Sequence, residues 1–277
     1  MNSVKNVNES RSGLGLRKSE FQKVRIMLHD YCGINLHDGK EALVRARLMK
    51  RIRKLDMNSF EEYLNFLEVD ESGAEFLSLV DVLTTNKTSF FRENEHFDFI
   101  RREVIPNMAG RHVKWWSAGC SSGEEPVTCS IILQEEKKAM PGAAVKILAT
   151  DISRDILQAA RTGIYTDQRL AEIPGSVRNK YFVNVDEGKY GVNNSVRQMI
   201  TYGRLNLQEA WPMKGPFHVI MCRNVMIYFN RQTQQELVSR FYNILEPGGY
   251  LFLGHSESVT GGNHGFTNIR PAVYQKL

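Results

Sequence analysis

The apolar residues of this chain keep two different rhythms. The change from one to the other, near residue 111, limits what the chain can fold into. Before it they recur at three- and four-residue spacing: Val24, Met27, Leu28 and Tyr31; Val44, Leu48, Ile52 and Leu55; Tyr63, Leu64 and Leu67; Phe76, Leu79, Val80 and Leu83. This is the period of amphipathic helices. Ser19 with Gln22, Asp38 with Glu41, Ser59 with Glu62 and Ser72 with Glu75 have the spacing of helix starts. Gly33, Asn58 and Gly73 break the pattern. Four short helices are expected.

After residue 111, short apolar runs alternate with helical segments. Val113–Trp116, Lys146–Thr150, His218–Cys222, Tyr250–Gly254 and Ala272–Lys276 read as strands. Helices are expected from Glu124, through Arg161 with Ser153 as cap and Gly163 closing it, and from about Gln232 to Leu245, with Pro247-Gly248-Gly249 as a turn. Such alternation predicts a largely parallel sheet with helices on both faces. Tyr181–Val185, Tyr190–Val192 and Ser195–Met199 interrupt it, with Glu187-Gly188 and Asn193-Asn194 as turns. They predict a small antiparallel β insert at about 178–199.

The composition is that of a globular protein, with 42% hydrophobic and 24% charged residues, which excludes wholesale disorder. No apolar run reaches the ~18 residues of a membrane span. The polar N-terminus lacks the apolar stretch of a signal peptide, so a cytoplasmic protein is expected. Cys32, Cys120, Cys129 and Cys222 show no paired or zinc-type spacing, and reduced thiols with no metal are expected. The net charge of +5 sits at one end: residues 1–56 hold 13 Lys and Arg against 6 Asp and Glu. The basicity therefore says little about the larger C-terminal part.

The first strand runs into Ser117-Ala118-Gly119-Cys120-Ser121-Ser122-Gly123. Small residues let backbone approach a ligand, but neither a dinucleotide fingerprint nor a Walker lysine is present. Asp151 ends the second strand, where an acid commonly binds ribose hydroxyls. Together they suggest a nucleoside ligand without phosphates, which S-adenosylmethionine fits. The plainer alternative is that Asp151 only caps the next helix.

Five segments carry a resemblance: Leu83-Thr-Thr-Asn-Lys-Thr-Ser-Phe-Phe-Arg-Glu93, Trp116-Ser-Ala-Gly-Cys-Ser-Ser-Gly-Glu-Glu-Pro126, Ala149-Thr-Asp-Ile152, Pro216-Phe-His-Val-Ile-Met-Cys-Arg-Asn-Val-Met-Ile-Tyr-Phe229 and Glu246-Pro-Gly-Gly-Tyr-Leu-Phe-Leu-Gly-His-Ser-Glu257. From about residue 19 to the end, the chain resembles the bacterial chemotaxis receptor methyltransferases, the CheR family. The family often has Tyr-Ser where this chain has Val127-Thr128, and Asp where it has His218. The resemblance implies an α/β protein in which a small N-terminal all-helical domain precedes a Rossmann-like S-adenosylmethionine-dependent methyltransferase domain with a small antiparallel β insert. The boundaries expected are a flexible tail at 1–18, a helical receptor-docking domain at 19–84, a linker and connecting helix at 85–110, and the methyltransferase domain at 111–277.

The activity implied is methyl transfer from S-adenosylmethionine to glutamate side chains of chemoreceptors, forming γ-methyl esters and S-adenosylhomocysteine. The resemblance implies that Asn86, Thr88 and Arg92 line the cofactor, with Arg92 also near the reacting ends. It gives Glu125 the methionine amino group, with Glu124 beside it, and Asp151 the ribose. Asn206 and Leu207 take the adenine, Arg223 and Asn224 the methionine moiety, and Tyr228 the substrate carboxylate. Read without the family, Asn86 and Thr88 would cap the next helix, Glu124 and Glu125 would favour a helix dipole, and Tyr228 would be a core aromatic.

Arg47, Lys50, Arg51 and Lys54 form a stripe beside the apolar face of their helix, within about 100° of arc. The residues from Lys40 to Lys54 include seven basic and one acidic. Acidic helical cytoplasmic regions of methyl-accepting receptors are the natural partner for this face, and a solvated charged face is the plain alternative. A monomer recruited to membrane receptor arrays is expected, with no membrane insertion and no nucleic-acid partner. An RNA or DNA methyltransferase is the runner-up, but aromatic-basic interleaving for stacking bases is lacking. The third reading is a non-catalytic S-adenosylmethionine-binding module.

Overall fold

The computed structural model describes residues 15–259, 261 and 264–277. Most of the expected tail, residues 1–14, lies outside them. The chain divides into two compact units, Met1–Thr85 and Asn86–Leu277.

Among the described residues, the first unit has four α-helices: α1 (Lys18–Cys32), α2 (Glu41–Lys54), α3 (Phe60–Val69) and α4 (Ala74–Leu83). Val24, Leu28, Val44, Leu48, Ile52, Tyr63 and Leu79 have no exposed surface, so the helical period buries the stripes it predicts. The starts differ in part. Ser59 does cap α3, accepting from the Glu62 N–H. Glu20 instead closes the box at α1 by accepting from the Arg17 N–H at 2.7 Å. Gly73 occupies the cap of α4, and Asp70 accepts from the Glu75 N–H at 2.8 Å. Asp38 pairs with Arg25 at 3.2 Å.

The second unit opens with an irregular segment and α5 (Asn94–Phe99), which runs on through a π turn and a 3₁₀ turn to Met108. Residues 85–110 were expected as a linker and connecting helix. Phe97, Ile100, Val104, Ile105 and Met108 instead share a core with Val113, Trp115, Ile147 and Val219, so this helix is a layer of the domain.

The strands are β1 (His112–Ala118), β2 (Ala144–Asp151), β3 (Ile164–Thr166), β4 (Phe182–Asp186), β5 (Lys189–Val192), β6 (Ile200–Arg204), β7 (Phe217–Cys222), β8 (Leu245–Leu253), β9 (Phe266–Arg270) and β10 (Val273–Lys276). Seven form one sheet in the order β6-β2-β1-β7-β8-β10-β9. The first five of these run parallel, and β10 is antiparallel to both its neighbours. Trp115 and Trp116 on β1 are both buried. Successive side chains point to opposite faces, so both faces must be covered. Trp116 packs edge-on to Trp211 and Phe241, while Trp115 joins the core beneath α5.

The remaining helices of this unit are α6 (Glu124–Glu135), α7 (Arg154–Thr162), α8 (Asp167–Leu170), α9 (Gly175–Tyr181), α10 (Asn194–Arg197) and α11 (Arg231–Ile244). Ser153 caps α7 and Gly163 ends it in the left-handed conformation, as its sequence predicts. Pro247-Gly248-Gly249 lies within β8 rather than in a turn before it.

The insert is a three-stranded antiparallel sheet, ordered β3-β5-β4, but its range differs from 178–199. Its third strand comes from Ile164–Thr166, ahead of that range. Ser195–Met199 is not a strand, because the Asn193 side chain accepts from the Val196 N–H and starts α10. An Asn suits a turn and a helix cap equally. All four cysteines are unpaired and buried. Among the described residues no helix is long and apolar enough to cross a membrane.

Candidate active site

The chain leaves β1 toward β2 on one side and returns to β7 on the other, so the strand order reverses between β1 and β7. Ligands of open parallel sheets bind beyond the carboxyl ends of strands at such a point. The glycine-rich loop after β1 is folded over that end, with the N–H groups of Gly119 and Cys120 donating to the Thr150 carbonyl at 2.8 and 2.9 Å. Gly119 and Gly123 have φ of +90° and +94°, and a Cβ on them would stand 2.4 Å from Val225 and 2.9 Å from the Tyr165 hydroxyl. A side chain at either position would be strained by its backbone and crowded by these neighbours. Phe91, Glu93, Ser121 and Asn224 are non-glycine residues at positive φ, and all four lie in the segments that meet here. Strained backbone of this kind gathers at functional sites.

Asp151 ends β2 and is buried. Its oxygens accept from the Ser121 N–H at 2.8 Å and the Ser153 N–H at 3.0 Å. It therefore braces the glycine loop and also supports the start of α7, so the plain capping role is present as well. Ser121 donates its hydroxyl to the Asn86 carbonyl at 3.0 Å. Helix α5 begins at Asn94 with Glu93 at its cap, so neither Asn86 nor Thr88 caps it. The Thr88 carbonyl accepts from Arg169, which also pairs with buried Glu124 at 3.0 Å.

Arg223, just past β7, is the centre of charge. It donates to Glu125 at 3.1 Å, to Glu93 at 3.0 Å and to the Arg92 carbonyl. Its Nε is buried with no hydrogen-bond partner among the described residues. Glu125 in the first turn of α6 also accepts from Ser117 at 2.7 Å. Burial pushes Glu125 above the usual carboxylate range, against the pull of Arg223 and the Ser117 hydroxyl. Burial acts on Glu93 the same way, but Arg223, the Asn224 amide and the His255 N–H outweigh it and hold Glu93 below that range. One guanidinium thus sits between two acids of opposite bias.

Arg92 folds back to donate to the Lys87 carbonyl at 2.7 Å. Asn206 and Leu207 follow β6 and are buried. The Asn206 amide donates to Glu209 at 3.2 Å and its oxygen accepts from the Gln208 N–H at 3.0 Å. The Leu205 N–H donates to the Asp151 carbonyl at 3.0 Å, which ties the loop after β6 to the end of β2. Tyr228 is half-buried in the turn Met226–Tyr228, whereas Phe229 is buried. The end of β2, the first turn of α6, the loops after β6 and β7 and the Asn86–Glu93 segment therefore carry every residue expected at the cofactor or substrate.

Glu93, His96 and His255 present ligand-type atoms within 4.8 Å of one another. Both Glu93 oxygens already accept, one from Arg223 and the other from Asn224 and the His255 N–H. The adjacent guanidinium supplies the positive charge that a cation would bring. Burial and the Arg223 charge lower the His96 pKa to about 3, so that ring is neutral.

Spacing alone did not reveal the parts played by Glu93 and Glu257. Glu257 is buried and accepts from the N–H groups of Asn224, Gly254 and Ile227. Both acids end motif segments quoted above, and that position was the available signal.

In the helical unit, the basic stripe divides. Arg47 donates to the carbonyls of Leu83 and Thr84 at 2.6 and 3.0 Å. Arg51 forms a two-pronged pair with buried Glu75, its Nε at 2.7 Å. Lys50 and Lys54 are exposed. The four residues are therefore not one uniform solvent-facing stripe, since two of the charges are used inside the fold.

The chain matches two family models in succession. Residues 19–84 match the CheR methyltransferase all-alpha domain, and residues 86–274 the CheR methyltransferase SAM binding domain. It is similar to the chemotaxis protein methyltransferase of Borreliella burgdorferi, 36% identical over 280 residues, covering 98% of this chain and 99% of the relative. A probable chemotaxis protein methyltransferase of Rhizobium etli is 39% identical over 258 residues, 90% of this chain and 96% of that one. The chemotaxis protein methyltransferase of Escherichia coli is 36% identical over 265 residues, 94% of this chain and 92% of that one.

Proposed function

The chain belongs to the CheR family of S-adenosylmethionine-dependent chemotaxis methyltransferases, and from that premise we propose that it methylates glutamate side chains of chemoreceptors, forming γ-methyl esters. The observation that supports this most is the grouping of Asp151, Glu125, Arg223, Asn224 and the Asn86–Glu93 segment at one end of the sheet.

The donor set suits the cofactor. A methionine end is a zwitterion, and it needs an acid for its ammonium and donors for its carboxylate. Glu125 is the acid, and the Arg223 Nε is a buried donor without a protein acceptor among the described residues. Asp151 takes the ribose hydroxyls, Asn206 the adenine edge and Leu207 its face. Asn86 and Thr88 line the cofactor, and Asn224 borders the methionine moiety. When bound, the sulfonium supplies an activated methyl group with a good leaving group.

The acceptor carboxylate is already ionised at pH 7, so no strong general base is required. The protein's work is placement and exclusion of water. Arg92 orients the incoming carboxylate by charge, and the Tyr228 hydroxyl fixes it by a hydrogen bond. Lys50 and Lys54 steer the acidic helical region of the receptor, with Arg47 and Arg51 shaping the helix that presents them. The enzyme acts as a monomer in the cytoplasm, at receptor arrays.

Tritiated cofactor, receptor-bearing membranes and total RNA, each incubated with the full chain, test this reading. Base-labile label on receptor protein is expected. Base-stable label on RNA, or cofactor binding with no transfer at all, would overturn it.

A further inference from the structure

We propose that Glu257 is a positioning residue of the transfer reaction: its carboxylate staples the loop after β7 to the loop after β8, and so sets where Tyr228 stands. This rests on the reading of Arg223, Asn224 and Tyr228 as site residues.

Strands β7 and β8 are parallel neighbours, with Cys222 opposite Leu253 at their ends. Both chains turn just beyond. One Glu257 oxygen accepts from the Asn224 N–H at 2.7 Å and the Gly254 N–H at 2.6 Å, and the other from the Ile227 N–H at 3.0 Å. The Glu257 N–H returns to the Gly254 carbonyl at 2.8 Å. Three backbone donors from two loops thus converge on one side chain that is 7% exposed.

The close approach of the loops requires glycine at position 254. A Cβ at Gly254 would stand 2.4 Å from the Asn224 amide and 2.8 Å from its backbone nitrogen. Asn224 has a φ of +58°, a left-handed conformation that Asn adopts more readily than other side-chain-bearing residues and that its partners fix here. Two acids impose it: Glu93 holds the side-chain amide at 3.2 Å and Glu257 holds the backbone N–H.

The two ends of the loop are held differently. Arg223 and Asn224 also have Glu93, and Arg223 has Glu125. At the other end, the Ile227 N–H goes to Glu257, and Tyr228 is the next residue. Loss of the carboxylate should therefore disturb Tyr228 more than the cofactor contacts. An amide of the same shape keeps one acceptor oxygen and turns an NH₂ toward the N–H donors, which leaves buried donors unsatisfied.

The test compares wild type, Glu257→Gln, Glu257→Asp and Tyr228→Phe as full chains. Receptor-methylation kinetics, cofactor affinity by calorimetry, thermal melts and amide exchange of the peptide spanning 223–229 are measured for each. For Glu257→Gln, kcat should fall on the order of ten- to a hundredfold, the usual result of misplacing a reacting group by about 1 Å. Cofactor affinity should change less than about threefold, and exchange should quicken in that peptide and not in β1 or β2. Glu257→Asp should fall between. Unchanged kcat in a folded Glu257→Gln protein would overturn the proposal. So would a proportional loss of kcat, affinity and melting temperature with faster exchange throughout, the mark of a merely structural acid. Wild type that labels no receptor would sink the substrate reading instead, and the exchange comparison would still decide whether Glu257 holds this loop.

Discussion

Asp151 braces the glycine loop and is proposed to take the ribose hydroxyls, so two substitutions are needed to separate these roles. Asp151→Ala should weaken cofactor binding by about 1–3 kcal/mol, the range for lost charge-assisted hydrogen bonds, and should lower the melting temperature by stranding the Ser121 and Ser153 N–H groups. Asp151→Asn keeps one acceptor and should lose affinity with a smaller change in melting; equal affinity to wild type by calorimetry would refute the ribose role. Glu125 gives a pH dependence of definite sign. Burial raises its folded pKa above the ordinary 4.5. Between those two values the folded protein binds a proton that the unfolded chain has released, so Glu125's contribution favours folding at low pH and is lost as pH rises through the folded value. Glu257 is pushed the same way by burial and adds to this trend. Cofactor binding has the opposite trend, because an ammonium beside Glu125 favours the ionised form. Affinity should therefore fall as pH drops through the window above 4.5, by at most about tenfold per pH unit for one group. Glu125→Gln should flatten the profile, and calorimetry across that window checks it.

The turn between β1 and α6 is the element on which the site depends most. Gly123→Ala forces a Cβ into a left-handed backbone and against the Tyr165 hydroxyl at 2.9 Å. The backbone part alone costs about 1–2 kcal/mol, so a lower melting temperature and weaker cofactor binding should appear together. Binding unchanged in Gly123→Ala would show that the loop can relax without reaching the ligand. The elements most legible in the sequence were those whose period comes from burial. Val44, Leu48 and Ile52 repeat because one helical face is dry, and Trp115 and Trp116 run together because both faces of β1 are covered. The β insert was less legible, because its pairing joins Ile164–Thr166 to Lys189–Val192, and no local pattern specifies a partner over twenty residues away. Asn193 illustrates the same limit, since a turn residue and a helix cap are chemically alike. Motif likeness pointed to Glu125 and Arg223, whereas Glu93 accepts from two side chains and one backbone N–H and Glu257 from three backbone N–H groups, pairings that no spacing rule encodes.

At the scale of the whole molecule, the two units call for different experiments. In the helical unit, Lys50 and Lys54 are exposed and are the charges proposed to dock the receptor. The double alanine variant should raise the receptor KM without altering cofactor affinity. The effect should shrink with salt, as the Debye length falls from about 10 Å at 0.1 M to about 3 Å at 1 M. Arg51→Ala should behave otherwise: it strands buried Glu75 and should cost stability by about 3 kcal/mol, visible in a thermal melt at either salt concentration. If the lysine variant instead melts early and Arg51→Ala does not, the division of the stripe is wrong. The four thiols have a consequence of another kind. Burial raises Cys32 to about 11 and holds the other three well above their usual range, so the closed protein presents almost no thiolate to an alkylating reagent. Modification must wait for the chain to breathe, which makes its rate a clock for opening. Cys32 would time the helical unit, and Cys120, Cys129 and Cys222 the sheet. Saturating cofactor should slow the second clock by the factor 1 + [L]/Kd wherever opening expels the ligand. The native chain thus carries its own stopwatch for each unit, readable by mass spectrometry without an added label site.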